Sequence, residues 1–390
     1  MLSTIESNLS KEDDEEDDTI LYLFETIGLL LGRTGLDTQQ KEQYITAAMT
    51  PHVQSMNQTL QQLSQQQQQE EGEHQKLCQS ISAIAYLSKG FTKPIPVEVQ
   101  NVLSQTIPIC YNVLQTFPTE FQIRNKIMIY LQRMIQSLDH NSTATILLGM
   151  IPQYTLHLIP QSTPEDILDV AQLLCALITK YKSSCVEALD SSLLPFLQKI
   201  HTITSTSTDT SGIIPRHMRT EQISIQKLSF QFLFTMVSTD CTNILLSTTN
   251  IGSLQDIFNL MGNGALQIND PIIQRTCILF FRHLLSQWDN QIQQQHLEVF
   301  YQYLLQIFLP GIVQAMLRPA FLHEDALFYR CICETSSILH ILKQNHHSLF
   351  LNISLPPDVI ESMKQPSNEK EMQTCLVTII QMHKQKKQIE

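Results

Sequence analysis

Four times in this chain an aliphatic residue is followed by proline inside an apolar helical pattern: Ile107-Pro108, Ile151-Pro152, Leu194-Pro195 and Leu309-Pro310. The first three steps lie 44 and 43 residues apart, and the fourth follows after 115, room for more than one further unit. A period of about 40–47 residues, with two helical stretches in each, is the spacing of HEAT-type repeats. A single helix pair cannot bury its apolar face alone, so such units must stack on their neighbours. The period therefore predicts an all-α HEAT-repeat α-solenoid, a superhelical array of antiparallel helix pairs.

The stretch from Asp270 to Pro319 shows one pair in full. Asp270 is placed to cap the first helix and Pro271 to occupy its first turn, where a missing N–H costs nothing. Ile273, Cys277, Phe280, Phe281, Leu284 and Trp288 then recur at helical spacing, and Leu297, Phe300, Tyr301, Leu304 and Phe308 do so on the partner. Other stretches carry the same pattern. Ile127, Leu131, Met134 and Leu138 share one face. Thr163 with Pro164 and the acids after it opens a helix that buries Ile167, Val170, Ala171, Leu174 and Leu177. The helix ending at Gly262 and Gly264 is read as closed by those glycines. No stretch sustains the alternation of a strand.

Between these helices the composition shifts. Residues 1–18 hold eight acids against Lys11, which accounts for −7 of a net charge of −12, and read as an acidic disordered leader. The solenoid is expected over 19–388. Gln-rich residues 64–76 are expected to be a flexible insert, and residues 202–220 a Ser/Thr-rich loop.

The remaining charge is nearly balanced, so the chain is no bulk polycation, and any nucleic-acid contact must use local patches. Nine cysteines, mostly in apolar helical patterns, fit reduced thiols rather than a disulfide framework. The polar, acidic N-terminus does not resemble a signal peptide. The run Ile20–Leu31, interrupted by Glu25, is too short to span a bilayer, so no membrane insertion is expected.

Chemical motifs are sparse. Gly-rich phosphate loops are absent. Cys331-x-Cys333 lacks a second Cys/His pair at zinc spacing, and HEDA at 323–326 lacks the second His of a zincin. No spacing favours a nucleophile–base pair. The expectation is a protein that is not an enzyme, with no cofactor, no metal and no small-molecule substrate. The basic residues are the candidates for binding. Arg124, Lys126 and Arg133 fall on one helix, with Lys126 and Arg133 seven apart and so on one side. Arg275 and Arg282 repeat that spacing. Arg216, Arg219, Arg318 and the C-terminal lysines Lys384, Lys386 and Lys387 are further candidates. Phosphate contacts would need several to converge.

Four stretches are more specific than their period: DDTILYLFETIGLLL, IRNKIMIYLQRMIQSL, DPIIQRTCILFFRHLLSQW and IFLPGIVQAMLRPAFLHEDA. With these, residues 17 to about 385 resemble the C-terminal region of exportin-T, the tRNA exportins of the importin-β/karyopherin superfamily. The resemblance implies a HEAT superhelix that wraps tRNA together with Ran-GTP, contacts nuclear pore proteins and shuttles between nucleus and cytoplasm. It implies recognition of RNA shape rather than base sequence. The family carries a long N-terminal arc ahead of this region, so the chain reads either as a fragment of a longer protein or as a short relative. The tRNA-binding set expected here is Arg124, Lys126, Arg133, Arg216, Arg219, Arg275, Arg282 and Arg318. The alternative is a HEAT-repeat protein–protein scaffold, or a karyopherin adaptor for a protein cargo, which needs no basic surface.

Overall fold

The computed structural model describes residues 14–65, 71–91, 93–139, 141–205, 216–288, 294–318, 320–322 and 324–389. Among them there is no strand, and the architecture is all-α, built as HEAT-type helix repeats. The chain divides into two compact units, Met1–Ile225 and Gln226–Glu390.

The first unit contains α1 (Asp14–Arg33), α2 (Thr38–Gln65), α3 (Glu71–Gly90), α4 (Val97–Ser104), α5 (Ile107–Thr116), α6 (Phe121–Ser137), α7 (Asn141–Gln161), α8 (Pro164–Tyr181), α9 (Val186–Asp190) and α10 (Leu193–Ser205). They form two rows. In one row α1 packs on α3, α3 on α6 and α6 on α8; in the other α2 packs on α4 and α5, and these on α7, which meets α9 and α10. The repeat can be read from hydrogen bonds that join equivalent positions of successive units. Arg124 to Asp166 and Gln115 to His157 each span 42 residues, the Tyr154 hydroxyl donates to the Ile107 carbonyl across 47, and Ser137 donates to Ser88 across 49. The two spans of 42 lie within two residues of the proline steps, and the spans of 47 and 49 are longer than them.

Helix α11 (Arg216–Ser238) contains the division between units. The second unit continues with α12 (Leu254–Gln267), α13 (Pro271–Trp288), α14 (Gln294–Tyr303), α15 (Leu309–Met316), α16 (Ala326–Asn345), α17 (His347–Leu351), α18 (Pro357–Lys364) and α19 (Glu369–Ile389). The predicted pair is α13 against α14–α15. Asp270 Oδ1 accepts from the Ile272 and Ile273 amides at 2.9 and 3.2 Å, as an N-cap should. Ile273, Cys277, Phe280, Phe281, Leu284 and Trp288 are all buried. The rings of Phe258, Phe281, Trp288, Phe300, Tyr303 and Phe308 form one aromatic cluster, closest at 4.1 Å between Phe281 and Phe308. Such edge and offset contacts add to the area each ring buries.

The proline steps differ in role. Pro108 and Pro195 stand in the first turns of α5 and α10, whereas Pro152 lies inside α7. Before Pro310 the helix widens into a π turn over Leu304–Phe308. Proline has no N–H for the carbonyl four residues back and crowds it, and a wider turn relieves both effects. The stretch His296–Met316 is apolar and long enough to cross a bilayer, but 61% of it is buried inside the unit, as for a core helix.

Several sequence boundaries are corrected. α1 begins at Asp14, so the acidic run enters the first helix; residues 1–13 lie outside the described set. The Gln-rich insert is narrower than 64–76, because α2 continues to Gln65 and α3 starts at Glu71. Thr59 and Lys76 both donate to Glu73, which ties that segment down. The loop at 202–220 is likewise cut back by α10 and α11, leaving 206–215 outside the described residues. Gly262 and Gly264 do not close a helix but lie within α12. A Cβ on Gly262 would stand 2.0 Å from the Tyr303 hydroxyl, and one on Gly264 2.6 Å from Cys277 Sγ. Their smallness lets α12 seat on its neighbours.

His52 on α2 meets the Phe24 ring of α1 edge-on at 4.9 Å, and burial lowers its pKa from 6.5 to about 4. The folded state therefore holds a neutral imidazole where the unfolded chain takes up a proton. Its stabilisation is complete above pH 6.5 and is lost as pH falls toward 4, by roughly 2 kcal/mol between pH 7 and pH 5. Urea unfolding at both pH values is expected to show a smaller acid loss in His52→Gln than in the wild type. Equal losses would remove His52 as the cause.

Candidate functional site

A basic side chain can serve a ligand only if the fold has not already used it. Most of the cations here are used. Arg124, three residues before Ile127 on α6, is 3% exposed. Its Nη2 donates to Asp166 Oδ2 at 2.9 Å and its Nη1 to the Pro118 carbonyl at 3.2 Å. Asp166 is also the N3 residue of a capping box with Thr163, so this ion pair ties α6 to the start of α8. Arg124 is therefore withdrawn from the expected phosphate contacts. A buried guanidinium with its charge already neutralised offers nothing to a polyanion.

Other cations hold helix ends. Lys180 on α8 donates to the Ile135 carbonyl and, at 3.0 Å, to that of Gln136, at the end of α6. Lys199 reaches the Pro160 carbonyl at 3.1 Å, near the end of α7. Lys343 on α16 holds the carbonyls of Lys364 and Pro366 past α18. Arg318 does the same for α12, donating to the Leu266 carbonyl at 2.8 Å. Each places positive charge at the negative end of a helix dipole. Asp139 joins Lys93 and Lys180 at 3.0 and 2.5 Å. Partial burial pushes its carboxyl up, but the two lysines outweigh burial and hold it below the usual carboxylate range.

What remains besides Arg33, Lys41 and Lys182, which have no ion pair or side-chain hydrogen bond among the described residues, is small. Lys126 and Arg133 stand half-buried on α6; Arg133 donates only to Gln136 on its own helix, and Lys126 has no ion pair or hydrogen bond among the described residues. In the second unit Arg330 and Lys370 are exposed with no such partner among the described residues. Arg275 and Arg282 are brought together as their spacing predicted. Two turns apart on α13, they converge on one carboxylate, Glu334 of α16. Arg275 donates Nε and Nη2 to Oε1 at 3.2 and 2.9 Å, and Arg282 donates Nη1 to Oε2. The two arginines are 38% and 39% exposed, and the carboxylate beneath them 10%. Arg216 and Arg219 fall in the first turn of α11, and the C-terminal lysines in the last turns of α19.

Lys126 and Arg133 share the row of α6 with α1, α3 and α8, and Arg275, Arg282, Arg330 and Lys370 that of α13 with α16 and α19, whereas Lys41 lies on α2 in the other row of the first unit. Sequence reading missed Glu334. The signal was present, because Glu334 is the sole acid between Ala326 and Asn345 and lies among small and apolar residues. A lone acid on a buried face calls for a cation. All nine cysteines are free thiols, and burial raises that of Cys331 to about 12. Among the described residues no group of His, Cys, Asp or Glu could hold a metal.

The fold is that of an all-α HEAT-repeat protein. The Exportin-T family profile matches residues 3–388, and the chain belongs to that family. It is 23% identical to Exportin-T of Arabidopsis thaliana over 274 residues, 68% of this chain and 27% of that protein. With Exportin-T of Oryza sativa subsp. japonica it shares 22% over 359 residues, 88% of this chain and 36% of the relative. Exportin-T of Danio rerio gives 22% over 365 residues, 89% and 36%. The chain thus spans about a third of the length of these curated relatives.

Proposed function

We propose that this chain is a carrier arc of a nuclear export receptor for tRNA. In this reading it binds tRNA cooperatively with Ran-GTP, engages nuclear pore proteins and moves between nucleus and cytoplasm without chemistry of its own. The observation that carries it is the family match across residues 3–388. The cations left on the α6 and α13 rows support it as phosphate contacts: Lys126, Arg133, Arg275 and Arg282, with Arg216 and Arg219 kept as candidates by sequence. Arg318 contributes only through the donors it does not spend on α12. Few contacts mean modest affinity and a salt dependence in proportion to their number, and structured RNA is recognised by its backbone and shape.

The second reading, a protein-binding scaffold, draws on a different surface. Tyr22, Leu23 and Leu30 on α1 and Tyr44 on α2 are 42–60% exposed, an apolar face with no cation requirement. Binding of the purified chain to labelled tRNA, with and without GTP-loaded Ran, separates the two. The expected result is tRNA-selective binding that Ran-GTP strengthens and added salt weakens. Binding no tighter than to a scrambled single strand, from a folded protein, would favour the scaffold.

A further inference from the structure

Two guanidiniums on one carboxylate make an anion seat that is already filled. Arg275 and Arg282 lie seven residues apart on α13, about 10 Å along the axis, yet bend inward to share Glu334. Together the three groups carry a single positive charge. The carboxylate is nearly covered, whereas the arginines face solvent. Arg275 spends Nε and Nη2 on Glu334, and Arg282 spends Nη1; the other donors of both forks have no partner among the described residues. A guanidinium has five donors in a fixed plane, so bonds on one edge aim the opposite edge. Here both free edges are aimed outward by the same buried acid.

We propose that Arg275 and Arg282 bind a backbone phosphodiester of the RNA, and that Glu334 both aims the two forks and limits how tightly they hold it. This rests on the reading of the chain as an RNA carrier. The match is chemical: a phosphodiester presents two non-bridging oxygens that share one negative charge and accept hydrogen bonds, as the two carboxylate oxygens do from beneath. Glu334 is a positioning residue with an electrostatic cost, since its charge cancels half of what the arginines offer. Such a limit suits cargo that must be released. It also explains why two half-exposed arginines share one acid when an apolar contact between α13 and α16 would pack as well.

The test uses the whole chain and labelled tRNA, titrated from about 50 to 200 mM salt. Glu334→Gln keeps the side-chain shape and one acceptor while removing the charge. It is expected to tighten tRNA binding roughly three- to tenfold at the low-salt end and to steepen the slope of log affinity against log salt by about one. The triple variant Arg275→Gln/Arg282→Gln/Glu334→Gln leaves no buried charge uncompensated, and is expected to bind more weakly than wild type with a shallower slope. Thermal unfolding of each variant reports whether α13 and α16 still pack. Binding by folded Glu334→Gln that is equal to or weaker than wild type overturns the limiting role. A triple variant indistinguishable from wild type overturns the seat. If the wild type binds no tRNA, the carrier reading fails, and the seat is judged separately with inorganic phosphate. Phosphate-dependent shifts of the Arg275 and Arg282 Nε–H resonances that grow in Glu334→Gln support it, and unmoved resonances overturn it.

Discussion

Asp166→Ala is expected to destabilise the first unit by about 3–5 kcal/mol, enough to unfold a marginal domain. The reason lies in what is left behind. Arg124 is 3% exposed, and among the described residues Asp166 is its only carboxylate partner, with the Pro118 carbonyl as the remaining acceptor. Arg124 Nε already lacks a partner among the described residues. Removing Asp166 leaves a buried cation without a counter-charge, a much larger penalty than losing a surface pair. The same substitution removes one half of the α8 capping box, because Asp166 Oδ2 accepts from the Thr163 amide and hydroxyl at 2.7 and 2.9 Å, while the bond from the residue-166 amide to Thr163 Oγ1 stays. Asp166→Asn, which keeps the cap acceptor but not the charge, is expected to fall between. Arg124→Met with Asp166→Asn removes both charges and should recover most of the loss, since a well-packed apolar replacement costs little. Urea unfolding followed in the first unit gives the double-mutant cycle. A loss below about 1 kcal/mol for Asp166→Ala would mean the pair is solvated in solution and the link between α6 and α8 is apolar.

Arg124 also shows what the sequence does and does not make legible. The helical period identified the α6 stripe through Ile127, Leu131, Met134 and Leu138, all buried. Arg124 lies three before Ile127 and seven before Leu131, so it falls on that same stripe. A cation on an apolar face signals a buried partner, and including it in the tRNA-binding set with Lys126 and Arg133 set aside the helical angle that separates it from them. The caps at Asp270 and Thr163 were legible because the bonds they make are local. The partners of Glu334 were not, because they lie 52 and 59 residues away. Periodicity tells which residues share a face, but not which helix that face meets. The π turn before Pro310 and the seating of Gly262 and Gly264 depend on that same missing information. So does the use of Lys180, Lys199, Lys343 and Arg318 at helix ends, where cation count overstated the charge available to a ligand.

Gly28→Ala is expected to cost the first unit about 3 kcal/mol, against the ordinary sign of such a change, which in an open helix interior is a gain of roughly 1 kcal/mol. α1 and α3 run parallel, with Tyr22 beside Tyr86 and Glu25 paired to Lys89 at 2.7 Å. Where this register reaches Gly28 and Gly90 the two backbones touch. A Cβ on Gly28 would stand 2.2 Å from the Leu87 carbonyl oxygen and 3.0 Å from Gly90 Cα; one on Gly90 would stand 2.1 Å from the Glu25 carbonyl oxygen. These are main-chain atoms held by their own helices, so no side-chain rotation makes room. The helices must separate, and the buried contacts of Phe24, Leu31, Ile84 and Leu87 loosen with them. Gly149 in α7 supplies the control, because a Cβ there meets nothing within 4 Å. Gly149→Ala is expected to raise the unfolding temperature as Gly28→Ala lowers it, under the same conditions and from the same helix propensity. If both substitutions stabilised, the close approach of α1 to α3 would be absent in solution, and the lysine–glutamate pair with the Tyr22–Tyr86 contact would have to hold that end of the row without it.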